Sequence, residues 1–215
     1  MLPEPSAKQA IAFFDGQNLF HCAKKAFGYT HPNYDPLALA RQTCAKQNWN
    51  LKQVRFYTGV PNASDNELWH GFWTKKLLAM RRQGIVVYSR PLKYRNKKVR
   101  LPDGTDHVYL AADEKGIDVR IALDVLRMAY ARDFDVALVF SQDQDLSEVA
   151  AEIRTVAKRQ NRWIKMACAF PHSPTVPRNR GIEKTDWIRI DRSEYEACID
   201  PRDYRPTLAA KPPSN

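Results

Sequence analysis

Two short apolar runs of the sequence lead directly into acidic residues, and these acids are the strongest candidates for chemistry. The run AIAFFD (10–15) ends in Asp15 and is followed by Gly-Gln-Asn18. The run VALVFS (136–141) is followed by Gln-Asp143-Gln-Asp145. A further acid, Asp118, lies in EKGID, where a helical apolar pattern begins. Ligands of open parallel sheets bind beyond the carboxyl ends of the strands, so we expect these acids to converge on one edge.

Several carboxylates cannot share a small site fully ionised without a counter-charge. A divalent cation would supply one, and Mg²⁺ prefers hard oxygen ligands while keeping several waters. Two such ions about 3.5–4 Å apart would activate a water and stabilise the leaving oxygen of a phosphodiester. Each acid also has a purely structural explanation, because an Asp at the end of a strand commonly caps the following helix. Asn18 could likewise cap its helix or orient a carboxylate or a water.

The elements that must position these acids alternate along the chain. Apolar runs predict strands at 10–15, 53–59, 85–89, 136–141, 164–170 and 187–190. Helical periodicity predicts helices at 18–27, 36–47, 64–83, 114–130 and 146–160, with a Ser64–Glu67 capping box opening the third. Asp124 lies about 120° around its helix from Asp118 and is therefore expected to be a peripheral or structural acid. The alternation predicts βαβ units, an α/β fold and a parallel sheet.

Three segments fall outside this pattern. Residues 90–113 predict an inserted loop or hairpin around Pro102-Asp103-Gly104. Residues 1–9 are expected to be an N-terminal tail, and residues 200–215 a disordered C-terminal tail with too little apolar surface to fold. The predicted domain therefore spans residues 10–199.

The positive charge of the chain is concentrated in the inserted segment. The 34 Lys and Arg exceed the 24 Asp and Glu, which leaves a net charge of +10 and favours a polyanionic partner. The candidate nucleic-acid-binding residues are six cations and one aromatic side chain that could stack on a base: Arg90, Lys93, Tyr94, Arg95, Lys97, Lys98 and Arg100. The alternative is a solvated basic hairpin with no ligand.

Composition excludes several other classes of protein. No apolar stretch approaches the roughly 18 residues of a membrane span, and no signal peptide is evident, so we expect a cytoplasmic protein that does not bind membranes. The 4 cysteines are widely spaced, which argues against a disulfide framework and a zinc site. The Gly-rich turn of a dinucleotide-binding enzyme is absent, and so is the G-x-S-x-G of an α/β-hydrolase.

The segments FFDGQN, EKGIDVRIALD and VFSQDQDLSEV, in that order, resemble the three signatures of a LabA-like NYN domain of the PIN-like nuclease superfamily. The resemblance covers about residues 11–170. It implies a Rossmann-like three-layer α/β/α sandwich, an acidic Mg²⁺ or Mn²⁺ site and ribonuclease activity. By position it assigns metal binding and catalysis to Asp15, Asp118, Asp143 and Asp145, with Asn18 as a companion. Gln142 and Gln144 depart from the family, which often has Gly and Ser there; these differences bear on the substrate fit and the loop geometry and leave every carboxylate in place.

Two functions are consistent with these features. The first is a Mg²⁺- or Mn²⁺-dependent ribonuclease that hydrolyses RNA phosphodiester bonds, with single-stranded DNA as a further possible substrate. The alternative is a non-catalytic RNA-binding module that uses the same basic surface. The sequence leaves the oligomeric state open, and a homo-oligomer is compatible with it.

Overall fold

The computed structural model describes residues 3–102, 104–113, 115–177 and 180–205, and for residues 109–113 it describes the backbone alone. The strands are β1 (Lys8–Asp15), β2 (Trp49–Val60), β3 (Val86–Pro91), β4 (Lys93–Arg100), β5 (Asp106–Asp113), β6 (Val136–Phe140), β7 (Lys165–Pro171) and β8 (Asp186–Ile190). The helices are α1 (Gly16–Phe27), α2 (Pro36–Lys46), α3 (Glu67–Arg82), α4 (Ile117–Tyr130), α5 (Ser147–Arg159) and α6 (Arg192–Glu196).

Six of these strands form one sheet in the order β3-β2-β1-β6-β7-β8, and every neighbouring pair is parallel. The order runs outward from β1 to β3 on one side and continues from β6 to β8 on the other. The strand order therefore reverses between β1 and β6, where Phe14 pairs with Phe140. A crevice at such a reversal is the usual ligand site of an open α/β sheet.

Helices cover both faces of the sheet, because successive side chains of a strand point in opposite directions. Ala10, Ala12 and Phe14 of β1 pack in a core that also contains residues of α1, α2 and α3. Ile11 and Phe13 of the same strand pack in a second core with residues of α4 and α5. This three-layer α/β/α arrangement confirms the predicted fold class.

Two helices begin later in the chain than predicted, because of the residues at their N-termini. The Ser64–Glu67 capping box is wrong: Asn66 is the N-cap of α3, and its side chain accepts the Trp69 N–H at 3.1 Å. Helix α4 begins at Ile117 rather than at residue 114, since Gly116 adopts the left-handed conformation with a φ of 72°. A residue with that backbone conformation interrupts a right-handed helix, and glycine adopts it without strain.

Parts of both predicted tails belong to the ordered fold, at residues 8–9 and 200–205. Strand β1 already begins at Lys8, within the expected N-terminal tail. In the expected C-terminal tail, Asp200 and Tyr204 are buried, and Tyr204 packs edge-on against Phe72 of α3. The Tyr204 hydroxyl also donates to Oδ2 of Asp200 at 2.8 Å, and the Asp200 N–H donates to the Asn33 carbonyl at 2.8 Å. Residues 206–215 lie outside the described residues. In the described part of the chain, no helix is long and apolar enough to cross a membrane.

The predicted insertion contains an antiparallel hairpin formed by β4 and β5, with Lys93 opposite Asp113 and Arg100 opposite Asp106. Near the turn, the Leu101 N–H donates to the Thr105 carbonyl at 2.8 Å and the Gly104 N–H to the Leu101 carbonyl at 2.9 Å. The hairpin is a separate two-stranded sheet.

Candidate active site

A cavity of about 580 Å³ opens at the reversal point between β1 and β6. It is lined by the carboxyl end of β1, the first turns of α1 and α4, the loop after β6 and the base of the hairpin. The lining residues are Asp15, Gln17, Asn18, His21, Leu92, Ile117, Asp118 and Asp143. The structure therefore brings together Asp15, Asn18, Asp118 and Asp143, four of the five predicted catalytic residues.

Asp15 is both the last residue of β1 and the N-cap of α1. Its Oδ1 accepts the Asn18 N–H at 3.1 Å, and its Oδ2 accepts the Ser141 hydroxyl at 3.3 Å. Burial raises the pKa of Asp15 to about 6, the charges of Asp143 and Asp118 act in the same direction, and the two hydrogen bonds oppose them. Burial and the neighbouring carboxylates thus favour the protonated form of this carboxyl.

Gly16, the first residue of α1, permits this turn. A Cβ added there would lie 2.5 Å from Cζ of Phe56 and 3.0 Å from the Tyr57 carbonyl oxygen. Only glycine lets α1 start this close to β2. The Tyr34 hydroxyl also donates to the Gly16 carbonyl at 3.2 Å, which ties the start of α1 to the buried core.

Asp143 and Asp145 follow β6 in a tight turn but differ in exposure. The Asp143 N–H donates to the Ser141 hydroxyl oxygen at 3.1 Å, and Oδ1 of Asp143 accepts the Asp145 N–H at 3.1 Å. Asp143 is half-buried and lines the cavity. Asp145 is exposed and is not among the lining residues, because the short turn at Gln144–Leu146 carries it outward.

Asn18 connects the first and third motifs. Its Oδ1 accepts the Gln142 N–H at 2.8 Å and the Cys22 thiol at 3.4 Å. The residue therefore fixes the loop after β6 against the first turn of α1. This role differs from helix capping, since its side chain bonds across the sheet edge.

Asp118 enters the cavity from the first turn of α4. The guanidinium of Arg90 lies beside this turn, because a Cβ built on Gly116 would be 2.6 Å from its Nη1. Arg90 also stacks on the Tyr88 ring at 5.4 Å. Glu114, the other acid of this motif, lies outside the described residues.

Asp124, predicted to be a peripheral or structural acid, is buried away from the cavity. Its Oδ2 accepts from Arg55 at 2.9 Å and from the Tyr57 hydroxyl at 2.8 Å, and Arg120 pairs with Oδ1 at 3.1 Å. The pKa of Asp124 is lowered, since these hydrogen bonds outweigh its burial. The network joins α4 to β2 and thereby holds the helix that carries Asp118.

The two glutamines of the third motif, one before Asp143 and one after it, hold the loop before β8. Gln142 Nε2 donates to the Arg180 carbonyl at 2.6 Å. Gln144 uses both ends of its amide, donating to the Gly181 carbonyl at 3.0 Å and accepting the Glu183 N–H at 3.2 Å. The long side chains that distinguish this sequence from its family pattern thus support the 180–183 loop.

Six of the seven predicted nucleic-acid-binding residues lie on β4, and Arg90 lies on β3. The cations are exposed, whereas Tyr94 is half-buried. Lys93, Arg95 and Lys97 alternate with Tyr94, Lys98 and Arg100 along the strand, so the two sets belong to opposite faces of the hairpin. The predicted residues therefore do not form a single surface.

Four residues at the site carried no prediction: Ser141, Gln17, His21 and Leu92. Ser141 bridges Asp15 and the Asp143 backbone. Its position in the Ser-x-Asp-x-Asp motif is the sequence feature that could have identified it as a site residue. Gln17 donates to the Gly59 carbonyl at 3.3 Å. His21 lies one helical turn beyond Asn18, whereas no sequence pattern distinguishes Leu92.

The donor set is compatible with a partly hydrated metal ion. Within the described segments, no group of three or more His, Cys, Asp or Glu side chains is placed to hold a metal ion. Mg²⁺ does not need such a group, because it keeps several waters and binds through one or two carboxylates. Mn²⁺ also suits carboxylate and water ligands. The buried carboxyl of Asp15, with its raised pKa, is the group that a cation would most favour in its ionised form.

This chain was compared with curated sequences and with solved structures. Among curated proteins, no sequence matches this chain significantly. A protein of unknown function from Vibrio parahaemolyticus RIMD 2210633, VPA0982, is 19% identical with a TM-score of 0.52, covering 87% of this chain and 95% of that chain. This similarity supports the fold alone. MurG of Acinetobacter baumannii is 12% identical, covering 85% of this chain and 45% of that chain, and its TM-score of 0.34 is too low to compare the folds.

The family model of the NYN domain matches residues 10–171, which include all three motifs. The narrower LabA-like assignment stays a prediction. The match spans most of the chain, and the six-stranded parallel sheet agrees with it. This chain therefore belongs to the NYN domain family of the PIN-like nuclease superfamily.

Proposed function

We propose that this protein is a ribonuclease that hydrolyses RNA phosphodiester bonds with the help of Mg²⁺ or Mn²⁺. The observation that carries the proposal is the convergence of Asp15, Asp118 and Asp143, from three separate segments, on one cavity. Membership of a nuclease-like family supports the reaction class. The net charge of +10 and the exposed cations of β4 support a polyanionic substrate.

In this proposal Asp15, Asp118 and Asp143 hold the metal, directly or through water, and Asp145 supports it from the rim. When bound, the ion supplies a charge that stabilises the negative charge developing on the phosphate and favours ionisation of a water. The Ser141 hydroxyl orients the Asp15 carboxylate through its 3.3 Å hydrogen bond. Asn18 is a positioning residue, because it holds the Asp143 loop in place through Gln142.

One observation favours the non-catalytic alternative. Asp15 and Asp143 both accept backbone N–H groups, so each has a structural role that needs no metal. An RNA-binding module with these caps would bind RNA without regard to Mg²⁺.

Cleavage of end-labelled RNA by purified protein, with Mg²⁺, Mn²⁺ or EDTA, separates the two functions. A nuclease cleaves only with metal, and Asp143→Asn abolishes cleavage while leaving the fold intact. Asp133→Asn is the matched control, since Asp133 lies before β6 at the opposite end of that strand and should keep full activity. Salt-sensitive RNA binding that is unaffected by metal or by Asp143→Asn, with no cleavage, would establish the alternative.

A further inference from the structure

The hairpin of β4 and β5 carries positive charge on both of its faces. Lys93, Arg95 and Lys97 belong to one face, and Lys98 and Arg100 to the other. All five side chains are exposed, and β4 contains no acidic residue. The acids of β5 are Asp113, opposite Lys93, and Asp106, opposite Arg100, so each face keeps an excess of cations. The hairpin can therefore contact phosphates in two opposite directions at once.

The end of the hairpin is apolar and exposed. Val99, Leu101 and Val108 are 46%, 40% and 49% exposed, and all three lie near the turn. Val99 shares the face of Lys97, while Val108 pairs with Lys98 on the other face. Proteins that open or kink nucleic acids use apolar side chains in this way, inserting them against unstacked bases.

The base of the hairpin lies at the acidic cavity. Leu92, which immediately precedes β4, lines the cavity, as do Ile117 and Asp118 a few residues after β5. Among the described residues, β4 and β5 make their extensive contacts with each other and not with another helix or strand. Eight residues of β4, at about 3.3 Å per residue, extend roughly 25 Å from this base.

Neither an isolated strand nor a regular duplex of RNA matches this charge distribution. A single strand that follows one face leaves the cations of the other face without phosphates. A continuous A-form duplex offers two backbones, but its major groove is too narrow for side chains to read. Where a stem opens at an internal loop, a bulge or an end, the two backbones diverge and the bases unstack.

We infer that the hairpin is a wedge that binds RNA at the junction of a stem and its unpaired strands, one basic face on each backbone and the apolar end against the opened bases. The inference rests on the proposed function, because it names the class of RNA presented to the cavity. It makes the structure of the RNA, rather than its sequence, the main determinant of binding.

Fluorescence anisotropy with the full chain in EDTA tests this on three labelled RNAs of equal length: an unstructured strand, a continuous duplex and a forked stem. The variants remove one face (K93A/R95A), the other face (K98A/R100A) or the apolar end (V99S/L101S). The control K24A/K25A removes two exposed cations from the last turn of α1. The forked stem should bind most tightly, and each face variant should weaken that binding about ten-fold through lost phosphate contacts. The apolar variant should erase the preference for the fork, and the control should leave that preference unchanged.

Equal affinity for the three RNAs, or sensitivity to only one face, would overturn the wedge. A vesicle-binding assay adds a further test. If V99S/L101S loses binding to phosphatidylserine vesicles but keeps its RNA binding unchanged, the apolar end binds a membrane surface and the wedge is overturned. A separate Mg²⁺ cleavage assay keeps the two proposals apart. Cleavage without fork preference refutes the wedge alone, whereas fork-selective binding without cleavage refutes the nuclease alone.

Discussion

Ser141 donates its hydroxyl hydrogen bond to Oδ2 of Asp15 across 3.3 Å, and the two residues are 126 positions apart in the chain. The same hydroxyl oxygen accepts the Asp143 N–H at 3.1 Å. One small side chain thus connects both strands of the reversal point and two candidate metal ligands. The parallel pairing of Phe14 with Phe140 creates this contact, because it places the next residue of each strand side by side.

Replacing Ser141 by alanine should loosen the site more than it weakens the fold. The loss of one hydrogen bond to a buried carboxylate should lower the free energy of unfolding by about 1–2 kcal/mol. Mn²⁺ affinity, measured by calorimetric titration, should fall about 10- to 100-fold, as is typical when an orienting partner of a ligand is lost. Ser89→Ala, an exposed serine on β3, is the control and should leave both values unchanged. Unaltered Mn²⁺ affinity in Ser141→Ala would contradict this role.

Asp15→Asn should stabilise the metal-free protein at pH 7. Burial raises the pKa of Asp15 from 3.8 to about 6, so the folded state binds the proton more tightly than the unfolded state. The free energy of unfolding of the native protein should therefore fall as the pH rises through about 4 to 6 and stay lowered above that window. At pH 7 the neutral amide should recover up to about 3 kcal/mol.

Urea unfolding in EDTA at pH 4 and pH 7 measures this effect. The stabilisation by Asp15→Asn should be present at pH 7 and small at pH 4, where the wild-type carboxyl is largely protonated. A variant that is less stable than the wild type at pH 7 would show that the hydrogen bonds of the carboxylate outweigh its burial.

Gln144→Ser should release the 180–183 loop while leaving the sheet intact. A serine is too short to keep both amide contacts, so the Glu183 N–H loses its acceptor and the Gly181 carbonyl its donor. Hydrogen exchange of the Glu183 amide should accelerate about ten-fold. Peptides from α2 serve as the internal control, since they lie far from the loop. No change at Glu183 would mean that the packing of buried Ile182 alone holds the loop.

The buried pair of Lys76 and Asp200 should make the C-terminal segment part of the stable fold. Lys76 Nζ donates to the Tyr34 carbonyl at 2.9 Å and lies 3.6 Å from Asp200 Oδ2. Asp200→Asn removes the ion-pair partner of the Lys76 ammonium, which is 1% exposed, and should cost about 3 kcal/mol at pH 7. Asp203→Asn, which breaks an exposed pair with Arg205, is the control and should cause no measurable change.

The pH dependence of the stability lost in Asp200→Asn gives a second test. Burial lowers the pKa of Lys76 from 10.5 to about 8, so the penalty for its charge is present below about pH 8 and is relieved as the pH rises toward 10.5. The difference in unfolding free energy between the wild type and Asp200→Asn should therefore shrink between pH 7 and pH 9.5. An undiminished difference at pH 9.5 would show that the ammonium charge is not its source.

Local sequence patterns were sufficient to predict most of the helices and strands. The apolar run before Asp15 and the run before Ser141 predicted buried strands, and β1 and β6 confirm them. The predicted start of α3 at Ser64 is wrong. Ser64 and Asn66 are both good N-cap residues, and the tertiary structure places Asn66 at the N-cap. The clustering of basic residues in the sequence predicts one surface. The hairpin of β4 and β5 divides these residues between two faces, because successive side chains of a strand point in opposite directions.

By itself the sequence determined the α/β class, the order of the three acidic motifs and the positions of Asp15, Asp118 and Asp143, because apolar periodicity and motif spacing are local properties. Only the tertiary structure decided which of these acids share a cavity and that Ser141 and Asn18 join their segments. It also decided that Asp145 faces outward and that the glutamines of the third motif support a distant loop. The physical reason is that strand order and register bring together residues more than a hundred positions apart in the sequence. No local sequence pattern encodes which distant residues become neighbours in space.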